Sequence, residues 1–187
     1  MRIIVAKNIG FCFGVRRALD MAEELSRTRE RLYTLGALIH NRQVIESLEK
    51  KGIFAVESPE DAPGGATVLV RSHGVPPETL EACRARGLDV ADATCPFVER
   101  IHRIVREQSG KGRRIAIFGE PGHPECVGIN GCCGYAAIFL KNAEDIYALD
   151  PAEPLCVVAQ TTADAAGYEG ICSAAASHMQ DALVMDT

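Results

Sequence analysis

The chain is 187 residues long, 47% hydrophobic, and carries a formal net charge of −5. That length suits one large or two small domains with a real core, and the acidic balance excludes the basic footprint of a nucleic-acid binder. The apolar run after Met1 is too short for a signal peptide and no run reaches membrane-spanning length, so a soluble, cytoplasmic protein with no membrane partner is expected. Eight cysteines are many for this length. Without a secretory signal they do not suggest a disulfide framework, and the absence of a CxxC pair counts against a zinc ribbon. Buried thiols, or ligands gathered from distant parts of the chain, remain open.

In chain order, residues 3–6 read as a strand, followed by a loop containing Gly10, Cys12 and Gly14. Val15, Ala18, Leu19, Ala22 and Leu25 then share one helical face. Cys12 thus sits before a helix N-terminus, which favours thiolate over thiol, although a small core residue between Phe11 and Phe13 fits equally. Residues 32–39 read as a strand ending at His40, with Asn41 a cap for the next helix. A short strand at 53–56, a polar turn and a strand at 66–70 follow, and the last of these runs into Arg71-Ser72-His73-Gly74. Pro77 suits the first turn of a helix with Leu80 and Cys83 inward.

The strand at 88–91 leads into Asp92-Ala93-Thr94-Cys95-Pro96, repeating the Cys12 situation. Phe97, Val98, Ile101, Ile104 and Val105 then keep helical register, while His102 fits no pattern and reads as structural or exposed. The apolar run 114–118 is a buried strand, after which two glycines and two prolines break regular structure around His123 and Glu125, a break read as continuing through Gly134. A strand at 136–140, a short helix from Asn142, a strand at 155–159 leading to Thr161, a final helix to about Gln180 and an incipient strand at 182–187 complete the pattern.

Alternating strands and helices predict an α/β fold of two similar domains, 1–95 and 96–187, each a mostly parallel sheet flanked by helices. Cys12, His40, His73, Cys95, His123 and Thr161 recur at strand ends, where α/β proteins bind ligands, and so predict one shared site. At each position taken singly, a backbone-bonded histidine, a core thiol or a helix cap remains the alternative.

Gly10-Phe11-Cys12-Phe13-Gly14-Val15, Ile39-His40-Asn41, Ser72-His73-Gly74-Val75, Asp92-Ala93-Thr94-Cys95-Pro96, His123-Pro124-Glu125 and Gln160-Thr161-Thr162 together resemble the 4-hydroxy-3-methylbut-2-enyl diphosphate reductase family over the whole chain. The resemblance implies three similar α/β domains around a central 4Fe–4S cluster, with the first two present here and residues 1–13 lying with the third. It implies that Cys12 and Cys95 are two of three cluster ligands. His40, His73 and His123 would hold the diphosphate, Glu125 would deliver protons, and Thr161 would position the departing hydroxyl and relay the proton. The implied partners are the allylic diphosphate substrate and a ferredoxin or flavodoxin electron donor. The family's third cysteine, and the serine and asparagine contacts of its third domain, lie beyond the pattern carried by these 187 residues, which are therefore expected to be an inactive part of an enzyme. Another three-cysteine 4Fe–4S enzyme, such as a quinolinate synthase-like protein, and a non-catalytic fragment without a cluster are the alternatives.

Overall fold

The computed structural model of the protein describes residues 4, 10–39 and 41–186. His40 and, apart from Ile4, the strand expected over 3–6 lie outside the described residues. The first half runs α1 (Phe13–Ser26), β1 (Leu32–Leu35), α2 (Arg42–Glu49), β2 (Ile53–Val56), β3 (Thr67–Val70), α3 (Pro77–Ala85) and β4 (Asp89–Asp92). The second runs α4 (Pro96–Gly110), β5 (Arg114–Phe118), α5 (Pro124–Gly131), β6 (Ile138–Leu140), β7 (Leu155–Ala159), α6 (Ala165–His178) and β8 (Ala182–Val184).

Two four-stranded sheets result, in the orders β2-β1-β3-β4 and β6-β5-β7-β8, with every pairing parallel. The orders are the same topology used twice. Parallel sheets are covered on both faces, so their inner strands read as continuous apolar runs. All of β3 and all of β7 are buried accordingly. Side chains alternate across each strand. Leu69 joins Ala18, Ala22 and Leu48 in a layer with α1 and α2, while Val68 and Val70 join Cys83 of α3. In the second sheet Ile115 and Ile117 pack with Ile101 and Val105 of α4, while Ala116 and Val157 pack with Ile171 and Ala175 of α6. Burying one such aliphatic side chain contributes ~1.5–3 kcal/mol.

Local signals set the helix starts. Asn41 caps α2 by accepting from Val44 N–H at 3.2 Å, as its position suggested. Pro77 and Pro96 lie in the first turns of α3 and α4, where a missing N–H costs nothing.

The structure departs from the sequence expectations at several places. The segment after β5 is not loop through Gly134: His123 caps α5 and Glu125 lies in that helix's first turn. Glycines at 128 and 131 lower helix propensity, and tertiary packing overrides the penalty. The segment from Asn142 is a 3-10 helix over Ala143–Ala148, and α6 stops at His178. Phe97, in register with the buried face of α4, is 63% exposed, whereas His102 is buried, at 3% exposure.

Candidate functional site

In each sheet the strand order reverses between its first and third strands, and in open α/β sheets ligands bind outside the strand ends at such a point. In the second sheet His123 follows β5 and Thr161 follows β7, one on each side of the reversal. In the first sheet His73 follows β3, and Cys95 follows the neighbouring β4. These ends converge on one cleft of about 520 Å³, lined by Cys12, His73, Cys95, His123, Glu125 and Thr161. The structure thus brings together every expected site residue except His40, which lies outside the described residues.

The His73 and Cys95 segments are tied by their backbones, with Cys95 N–H donating to Ser72 O at 2.9 Å. The Asp92 carboxylate accepts from Thr94 N–H at 2.8 Å and from its hydroxyl at 2.5 Å, fixing the turn before Cys95. Arg17 of α1 donates to Thr94 O at 3.1 Å, joining the helix that follows Cys12 to the same turn.

His123 Nδ1 accepts the Glu125 N–H at 3.2 Å. A ring nitrogen that accepts carries no proton, so the neutral ring has its hydrogen on Nε2. The rings of His73 and His123 meet edge-to-face with centroids 5.2 Å apart.

Glu125 is 2% exposed, and a buried carboxylate is tolerated only with donors. Both donors come from Thr161: its N–H reaches Oε1 at 2.6 Å and its hydroxyl reaches Oε2 at 2.8 Å. Gln160 secures the arrangement. Its Oε1 accepts from Glu120 N–H at 3.2 Å and from the Cys126 thiol at 3.4 Å, and its Nε2 donates to Thr162 Oγ1 at 2.9 Å. A Cβ on Gly119 would stand 2.7 Å from Cys126 Sγ, so only glycine fits beside this network. From sequence Gln160 enters only as part of the Gln160-Thr161-Thr162 motif, with no role of its own. Its place directly before Thr161 at a strand end was the available signal.

Cys12 and Cys95 are the N-caps of α1 and α4, and neither sulfur caps its own helix. Both therefore stay available to the cleft, beside helix ends that favour negative charge. A Cβ on Gly14 would lie 2.8 Å from Cys95 Sγ, which places that sulfur against the first turn of α1, two residues from Cys12. In the other six cysteines burial pushes the thiol up, Cys126 to about 12 and Cys132 and Cys156 to about 11. The residues at the cleft fit a 4Fe–4S cluster in their donor chemistry, as two soft thiols facing one space. They fit only in part, because no group of three His, Cys, Asp or Glu is placed to hold a metal ion among the described residues.

A family model described as LytB protein matches residues 3–187. A protein of Alkaliphilus oremlandii named 4-hydroxy-3-methylbut-2-enyl diphosphate reductase is 45% identical over 90% of this chain and 61% of its own length. A protein of the same name from Clostridioides difficile is 38% identical over 100% of the chain and 68% of its own. A solved structure titled (E)-4-hydroxy-3-methyl-but-2-enyl diphosphate reductase superposes with a TM-score of 0.86 at 38% identity, covering 98% of this chain and 66% of that one. The corresponding Plasmodium falciparum structure gives 0.86 at 27% identity, over 95% of this chain and 57% of its own. The chain thus spans roughly three-fifths to two-thirds of these relatives' own length. With the repeated parallel sheets and the cysteine- and histidine-lined cleft, these matches lead to one assignment: the chain belongs to the LytB protein family.

Proposed function

We propose that the protein carrying this chain removes the hydroxyl of 4-hydroxy-3-methylbut-2-enyl diphosphate, giving isopentenyl and dimethylallyl diphosphate. The reaction consumes two electrons and two protons; the C–O bond breaks, a C–H bond forms, and the oxygen leaves as water. The observation that supports this best is a single cleft that holds two available thiols, two histidines and a Glu125–Thr161 pair. Each sheet with its helices reads as one unit, with the boundary at residues 95 and 96. We place the reaction in the cytoplasm, with a ferredoxin or flavodoxin as the electron source; no described helix is long and apolar enough to cross a membrane.

Cys12 and Cys95 would hold two irons of a 4Fe–4S cluster, with a third ligand from outside the described residues. When bound, that group supplies a Lewis-acidic iron and passes electrons one at a time. The chain's own residues do the rest. His123 presents its Nε2 hydrogen, His73 lies beside it, and with His40 they bind the diphosphate through hydrogen bonds strengthened by its charge. Glu125 is the group that would pass a proton to the leaving oxygen, its hydrogen bond with Thr161 reversing direction once its carboxylate has taken one up. Thr161 Oγ1, 2.8 Å from Glu125 Oε2, takes a proton from the acid while releasing its own toward the substrate hydroxyl. Exposed Phe13 and Phe97 give the cleft apolar edges suited to a five-carbon chain.

The test is anaerobic reconstitution of the complete polypeptide that contains residues 1–187, with iron counted per chain and reduction followed by product analysis. Four irons and the two isomeric products are expected. A reconstituted protein that leaves the allylic diphosphate intact would refute the proposal. Residues 1–187 by themselves, with two cleft thiols, are expected to hold no stable cluster and to show no turnover.

A further inference from the structure

His102 has no part in the proposed function, yet we infer that it is a positioning residue, a wedge that sets the His73 loop against the helix carrying Glu125 and so fixes the diphosphate-binding side of the cleft. The inference rests on the proposed role of His73.

His102 lies on α4, about two turns after Cys95 at that helix's N-cap. Its ring is boxed by glycines from both halves of the chain. A Cβ on Gly74 would lie 2.8 Å from His102 Cε1, and one on Gly128 would lie 3.1 Å from Nε2 and 3.2 Å from Cε1. Gly74 directly follows His73 and has φ +70, a conformation that glycine adopts without strain. Gly128 is three residues after Glu125 on α5, and its Cβ would also lie 3.7 Å from His73 O. The His73 backbone, the imidazole and α5 therefore meet at one point.

The same seam continues along α5. A Cβ on Gly131 would lie 2.6 Å from Pro76 Cβ, and the Tyr135 hydroxyl donates to Glu78 of α3. Residues 73–78 are thus laid along α5, with the His102 ring at the end nearest the cleft. Gly128 and Gly131, which lower the helix propensity of α5, are explained by this close approach, as is Gly74, whose φ also calls for glycine.

The imidazole is not held by its own polarity. His102 Nε2 is buried and has no hydrogen-bond partner among the described residues. Such a group costs stability, and ordinary packing would use an aliphatic residue without that cost. The two glycine backbones both approach the Cε1–Nε2 edge of the ring. Burial, aided by the Arg106 charge, brings His102 down to about 4, so the wedge is uncharged near neutral pH. Stability given up at a site's edge is a common mark of a site held in one shape. Displacing the His73 loop would separate the His73 and His123 rings, now 5.2 Å apart.

A double-mutant cycle tests this, with calorimetric titration of 4-hydroxy-3-methylbut-2-enyl diphosphate into the oxidised, cluster-loaded protein and thermal unfolding recorded in parallel. His73→Ala is expected to weaken binding roughly tenfold or more, as for a lost hydrogen bond to a charged group. His102→Ala is expected to weaken it several-fold, and to add nothing in the His73→Ala background, because it acts through that residue. A merely structural role moves the unfolding midpoint but leaves the two effects on affinity additive. Gly128→Ala, which presses on the ring without emptying its site, gives the same cycle if His102→Ala does not fold. Additive effects, or parental affinity in a folded His102→Ala or Gly128→Ala protein, would overturn the inference while leaving the proposed function standing. Parental affinity in His73→Ala would remove the histidine anion site and this inference together.

Discussion

Replacing Glu125 with glutamine is expected to separate chemistry from folding. The carboxylate takes two bonds from Thr161, at 2.6 Å from the N–H and 2.8 Å from the hydroxyl. Glutamine keeps an oxygen to face the N–H. Its NH₂ then faces Thr161 Oγ1, which accepts by rotating its own hydrogen outward. Both contacts survive as neutral hydrogen bonds, each weaker than the charged form by about 1 kcal/mol. Against that loss stands relief from keeping a charge at 2% exposure. The two effects oppose, so stability should stay within about 2 kcal/mol of the parent. What the amide cannot do is donate a proton from Oε2 to Thr161, so turnover should fall ~10²–10⁴-fold. The complete, cluster-loaded protein would be assayed with reduced methyl viologen, which makes protein-donor docking irrelevant, and substrate affinity measured alongside by titration. Reduced turnover at parental affinity and iron content is the expected result. Parental turnover would refute the proton-delivery role, and loss of iron would show that Glu125 supports the cluster site instead.

Thr161→Val keeps the side chain's shape and removes the hydroxyl, leaving buried Glu125 Oε2 without its donor; stability should drop by about 1–3 kcal/mol and turnover should fall with it, as denaturant unfolding and the same assay would show. Gly14→Ala brings a Cβ to 2.8 Å from Cys95 Sγ, so despite up to about 1 kcal/mol of gained helix propensity the reconstituted protein should hold fewer irons per chain than the parent. For His102, lowered from 6.5 to about 4, the unfolded chain binds the extra proton first, so its contribution is full above pH 6.5 and is lost as pH falls toward 4. That is worth roughly 3 kcal/mol across the window, and unfolding curves between pH 4 and 7 should flatten by that amount in His102→Gln. Leu69→Ala, in the middle of β3, should cost ~2–5 kcal/mol by denaturant titration with no selective effect on the cleft.

The sheets were legible because their inner strands are short apolar runs between turn residues, a pattern that parallel sheets impose and that needs no knowledge of neighbours. β3 and β7 fell within a residue of their expected positions. The site was legible for a related reason: strand ends can be located from sequence, and residues placed at successive strand ends of one sheet must share an edge. What could not be read was anything decided across the seam between the two sheets. The segment 124–131 contains two glycines and begins with proline, so by local propensity it reads as a break. It folds as a helix because Pro124 sits where no N–H is needed, and because Gly128 and Gly131 give up propensity to let His102 and Pro76 approach. His102 matched none of the strand-end positions, and its role could not be read because its partners lie in segments that only the fold brings near.

The two halves of the cleft differ in how they are fixed, and this bears on what each can do. The cysteine half is anchored on main-chain groups: Cys95 N–H on Ser72 O, Thr94 N–H on the Asp92 carboxylate, Arg17 on Thr94 O, and a glycine in α1 against a sulfur. Such a frame fixes the turn that carries Cys95 and, under the proposed function, leaves its sulfur free to bind metal. The acid half is built from side chains, with Gln160, Cys126 and Thr162 bracing the strand end from which Thr161 reaches Glu125. Side-chain hydrogen bonds can reverse their hydrogens without moving heavy atoms, which is what a proton relay requires and a metal cradle does not. Under the proposed function, a division of labour between a rigid ligand frame and a switchable proton path would follow from the kind of bond that dominates each half.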